Sequence, residues 1–173
     1  MITAQSDREN FERWIGGPLE TIMTQSHAGF VVAMVAFPVL ERYLRGKSEA
    51  APDEQAFQAA LLEVIPELRN TQAAGTFWFM FRHSLLHYAG FQQPNYGFAS
   101  STELVSVSAS SEVWMNPLLF GERVLKTVRS DFTTYERGKV PLPRVRCMDD
   151  GAATNPPYSS YWGTSAPPRR GAK

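Results

Sequence analysis

Apolar residues recur at steps of three, four or seven along the first half of the chain: Leu19, Ile22, Met23, Phe30, Ala33, Phe37, Leu40 and Leu44. That spacing puts them on one side of a helix with 3.6 residues per turn. A first helix should therefore start near Leu19, after a break at Gly16 and Gly17, and stop at Gly46. Pro18 suits its first turn, where a missing N–H would have no partner anyway. Pro38 should kink it, because it cannot donate to the carbonyl of Met34. After a polar link from Lys47 to Pro52, Asp53 can cap a second helix carrying Phe57, Leu61, Val64 and Leu68, which Pro66 bends or ends. A third runs from about Thr71 to Ala89 on Ala74, Trp78, Phe81, Leu85 and Tyr88, and Gly90 should close it.

From Phe91 to Met115 the helical period disappears. Apolar and serine positions alternate around Leu104, Val105 and Val107, which predicts a small β-hairpin. Asn116 followed by Pro117 is a cap and first-turn pattern for a fourth helix, with Leu118, Leu125, Val128, Phe132 and Tyr135 inward and Gly138 at its end. Beyond Lys139 lie half of the 12 prolines, with no period. Such a segment buries too little surface to offset its ordering entropy, so a disordered tail is expected, although Tyr158, Tyr161 and Trp162 could dock on a partner or on the chain itself. The expected organisation is an N-terminal segment (1–18), a mainly α domain (19–138) of four to five helices with a hairpin insertion between the third and fourth, and the tail (139–173).

Composition narrows the function classes. Lys and Arg number 17, as do Asp and Glu, so no overall basic field draws the chain to nucleic acid or an anionic membrane, and any RNA contact must be local. The single Cys147 cannot form an internal disulfide or a thiolate zinc site, which suits a reducing compartment. The N-terminus lacks a secretory layout, and the longest apolar run, Ala28 to Leu40, falls short of the roughly twenty residues that span a bilayer. A cytoplasmic protein with no membrane partner is expected.

The densest polar cluster within an apolar helix is Phe81-Arg82-His83-Ser84-Leu85-Leu86-His87, which holds two of the 3 histidines. An arginine and two imidazoles have no packing use beside Trp78, Phe81 and Leu85, so they point to an interior or interface site. Arg82, His83 and His87, read as R-H-S-L-L-H on the third of four helices, resemble the motif of the HEPN family of small helical domains. Many members of that family are metal-independent endoribonucleases. The chain also looks like uncharacterised bacterial proteins in which an R-x-x-L-L-H helix precedes a hairpin and a final helix opening with Asn-Pro.

The resemblance implies a HEPN-like bundle, a homodimer, RNA as substrate, a restraining protein partner or antitoxin, and no cofactor. Arg82 and His87 would be the catalytic residues and His83 their polar support. Histidine can serve as base and acid near neutral pH, and a guanidinium meets phosphate oxygens in pairs. Within one chain, however, Arg82 and His87 lie roughly 140° apart around a helix; a long arginine can reach part of the way, and pairing two copies across a twofold axis, as the resemblance implies, could bring both kinds of group into one cleft.

Two other assignments compete. Arg82 and His87 could be structural, hydrogen-bonded to neighbouring helices in a non-catalytic dimerisation or adaptor module. Alternatively His83 and His87 could ligate a metal together with His27, although no Glu-x-x-His pair supports this. Glu20, Glu41 and Glu63 are candidates to orient an imidazole, and Arg123, Lys126 and Arg129 could form a phosphate-binding strip, each also serving as solvated helix surface.

Overall fold

The computed structural model describes residues 6–48, 54–91, 94–107 and 112–139. It is mainly helical with a small three-stranded sheet. The expected tail lies outside the described residues apart from Lys139, as does the expected cap Asp53.

From Asp7 onward the N-terminal segment is helical. α1 (Asp7–Phe11) begins with a capping box, in which Ser6 accepts from the Glu9 amide while the Glu9 carboxylate accepts from the Ser6 amide. A π-helical turn, Glu12–Gly16, carries the chain into α2 (Gly17–Met23) without a break. The wider turn gives Pro18 room and asks for no N–H at that point, which is why two glycines and a proline do not stop the helix.

The first expected helix is in fact two. Residues 24–28 turn between α2 and α3 (Gly29–Lys47), with His27 at φ 63°. This break resets the phase: Ala33, Phe37, Leu40 and Leu44 are buried as expected, whereas Phe30 is exposed. α3 is the central element, packing against α7 (Pro117–Ser130) and α8 (Phe132–Arg137), and it runs through Pro38 on its exposed side.

α4 (Glu54–Val64) is followed by a 3-10 turn, Pro66–Leu68, and then by α5 (Thr71–Phe77), a second π turn (Trp78–His83) and α6 (Ser84–Tyr88). The third helix therefore exists with its expected inward residues, except that Tyr88 is exposed and Ala89, at φ 49°, rather than Gly90 provides the left-handed cap.

The expected hairpin is part of a larger unit. β2 (Val105–Val107) and β3 (Val113–Met115) pair antiparallel, and β1 (Tyr96–Phe98) adds to β3 in parallel, giving the order β1-β3-β2. Phe81 meets Phe91, Tyr96 and Phe98 with ring centroids 5.4, 5.9 and 6.3 Å away, so the aromatic side of the sheet seats on the third helix. Trp114 stands opposite Gly97 in the ladder, and a β-carbon there would come within 2.3 Å of the indole. The absence of a side chain at Gly97 lets the ring cross the strand.

Asn116 links sheet and helix. Its Oδ1 accepts from the amides of Leu118 and Leu119 at 3.0 and 3.2 Å, and its Nδ2 donates to the Ser101 carbonyl at 2.6 Å. Asn116→Ala removes the cap and leaves the part-buried Ser101 carbonyl without this donor, so it should cost about 1–2 kcal/mol in urea unfolding. A loss below half of that would show that Pro117 alone starts the helix. The fourth helix is likewise divided: Asp131 ends α7 and caps α8 by accepting from the amide and hydroxyl of Thr134. No helix among the described residues is long and apolar enough to cross a membrane.

Candidate functional site

The helix bearing the candidate motif starts at Asn70, whose side chain accepts from the Ala73 amide at 2.8 Å. Its inward residues are Phe77, Met80, Phe81, Ser84 and Leu85. They keep one stripe in the core through the π turn, and the remaining residues of the motif divide between two directions. Phe79, His83 and His87 recur at steps of four along the outer side, while Arg82 turns toward α3.

Arg82 donates from Nε and Nη2 to one oxygen of Glu41, at 3.1 and 2.8 Å. The second oxygen of the same carboxylate accepts from Nε and Nη2 of Arg45, at 3.2 and 2.6 Å. One carboxylate thus lies between two guanidinium groups. Arg82 and Glu41 side chains are only 16% and 14% exposed, whereas Arg45 is 40% exposed, so the Arg82 contact is the less screened of the two. Glu41→Ala should accordingly cost about 2 kcal/mol and Arg45→Ala about 0.5 kcal/mol, read from urea denaturation midpoints. Equal losses would place the strength of the arrangement on the exposed pair.

The imidazoles form a group of their own. His83 and His87 have ring centroids 4.5 Å apart, tilted by 44°. Phe79 stacks on His83 at 4.9 Å with an interplanar angle of 10°, and Tyr88 meets it edge-on at 5.7 Å. Phe79 and Tyr88 are 59% and 56% exposed, so the cluster is open to solvent. Burial lowers the pKa of His83 from the ordinary histidine value, and the neighbouring His87 and Arg82 charges act in the same direction.

The structure therefore brings His83 and His87 together and directs Arg82 to Glu41, in keeping with the angular separation expected of Arg82 and His87. His27 lies on the turn before α3 and does not join the other two. Among the described residues no group of three His, Cys, Asp or Glu could hold a metal ion, which removes the three-histidine site. Comparison with protein-family models, curated protein sequences and solved structures finds no match to the chain.

Of the three glutamates weighed as partners for an imidazole, each holds a cation instead: Glu41 as described, Glu20 with Arg129, and Glu63 with Lys47. The phosphate-binding strip on α7 is also largely committed. Arg129 is clamped by Glu12 and Glu20, and Arg123 donates to the Val64 carbonyl and to Glu67. A cavity of about 670 Å³ lined by Arg69, Glu103, Leu119, Arg123 and Lys126, and a second of about 330 Å³ beside Tyr43 and Lys47, include none of Arg82, His83 and His87. Sequence reasoning missed Phe79, although its place four residues before His83 and eight before His87 was a usable signal.

Proposed function

We propose that the chain is a HEPN-like, metal-independent endoribonuclease in which His83 and His87 supply proton transfer and Arg82 stabilises the phosphate. The observation that carries this is the imidazole pair, 4.5 Å apart on an open helix face. One imidazole would take the proton of a ribose 2′-hydroxyl as its oxygen attacks the adjacent phosphorus. The other would give a proton to the departing 5′-oxygen, leaving a 2′,3′-cyclic phosphate. Arg82, now on Glu41, would exchange that carboxylate for the phosphate, or would act on substrate held by a second copy. The exposed rings of Phe79 and Tyr88 beside the pair offer apolar surface for such a twofold contact.

The test is cleavage of single-stranded RNA by tag-free protein in the presence of a chelator. His83→Ala and His87→Ala should each lower the rate about a hundredfold with the fold intact. Cleavage unchanged in both variants would belong to a contaminant and would end the assignment.

A second function, a non-catalytic dimerisation or adaptor module, is favoured by the commitment of Arg82 to Glu41, which leaves the cation neutralised. It predicts no cleavage by the wild-type chain and loss of the dimer on Phe79→Ser or Tyr88→Ser, read by sedimentation.

A further inference from the structure

The outer stripe of the third helix carries a second kind of chemistry. His83 and His87 are one turn apart, and the turn between them lies in regular α-helix from Ser84 onward. Their ring centroids lie 4.5 Å apart with a 44° tilt, close enough for rotation about the side-chain bonds to bring one nitrogen of each to a common ion at about 2.0–2.1 Å, the ordinary zinc to imidazole distance. Phe79, stacked nearly parallel on His83, limits the rotation of that ring and so holds one ligand in place before an ion arrives. Tyr88 meets the same ring edge-on.

We infer that His83 and His87 together chelate a single exchangeable divalent transition ion, of the Zn²⁺, Ni²⁺ and Cu²⁺ class, on the open face of the third helix. Imidazole nitrogen selects that class, whereas Mg²⁺ and Ca²⁺ require oxygen ligands, which the pair does not offer. Among the described residues no third His, Cys, Asp or Glu completes the set, so water fills the other positions and the ion comes and goes rather than building the fold. The consequence for activity rests on the proposed nuclease function: a bound ion occupies the lone pairs that proton transfer needs, so it inhibits instead of activating.

Titration of the full-length, tag-free chain with zinc or nickel chloride, followed by calorimetry without RNA, tests the binding by itself. One ion per chain is expected, with no heat from magnesium chloride. His83→Gln and His87→Gln should each weaken binding by about tenfold or more, and the double variant should abolish it while melting at the wild-type temperature. No binding at millimolar zinc, or binding undiminished in the double variant, would overturn the site. Cleavage assays read the other half separately. A wild-type chain that binds zinc but never cuts RNA sinks only the nuclease assignment, and cleavage undiminished by saturating zinc overturns the inhibition.

Discussion

Phe37→Ala should destabilise the fold by about 4 kcal/mol. Phe37 is fully buried, and its ring lies 4.5 Å from Phe120, 5.7 Å from Trp78 and 6.1 Å from Phe77. It thus joins α3 to the third helix and to α7 at once. Truncation loses the transfer free energy of a benzyl group and leaves a void that three helices cannot close without moving apart. Phe30→Ala, seven residues earlier on the same helix and exposed, should cost less than about 1 kcal/mol. Urea denaturation of both variants, with the slope held constant, measures the contrast. A Phe37→Ala loss below about 2 kcal/mol would mean that the three rings repack, and that the core is less specific than its geometry.

Gly46→Ala and Gly138→Ala should each cost about 3 kcal/mol, the upper end for overpacking, despite the change being one methyl group. A β-carbon at Gly46 would come within 1.8 Å of the Thr134 carbonyl oxygen, and one at Gly138 within 1.7 Å of the Arg42 carbonyl oxygen. Both obstacles are backbone, so no side chain can swing aside. The two glycines let α3 and the end of α8 touch main chain to main chain. Arg42 reinforces the contact by donating to the Tyr135 carbonyl at 3.1 Å and lying 4.1 Å above the Tyr135 ring. Ala substitution normally stabilises a helix relative to Gly, by roughly 1 kcal/mol at an exposed interior position. A stabilised Gly46→Ala would therefore show that the helices do not meet this closely in solution.

The same glycine shows how differently sequence and structure speak. At the level of pattern Gly46 was a helix stop, and α3 does end at Lys47. Its reason for being glycine, however, is the backbone of α8, some ninety residues away in the chain, which no local period can register. Pro18 and Asp131 mislead in the opposite sense. A proline after two glycines reads as a boundary, yet a π turn absorbs it. The apolar period from Leu118 to Tyr135 reads as one continuous helix, yet the Asp131 carboxylate caps Thr134 and divides it in two. β1 was invisible because its pairing with β3 is parallel and spans the intervening β2, so neither turn chemistry nor alternation between neighbours announces it.

For the candidate site, the sequence by itself determined that an arginine and two imidazoles share one short helix, and helical geometry alone separated Arg82 from His87. It also placed Ala74, Phe81 and Leu85 in the core, because burial follows the 3.6-residue period once the helix exists, whereas Tyr88 turned outward and Phe77 and Met80 turned inward where the π turn shifts that period. Only the tertiary structure decided that Glu41 takes Arg82 rather than an imidazole, and that Phe79 stacks on His83 while the pair stays open to solvent. The division has a physical cause. Periodicity encodes which side of an element turns inward, but the partner met there is fixed by how separate helices pack, and that information is distributed over the whole core.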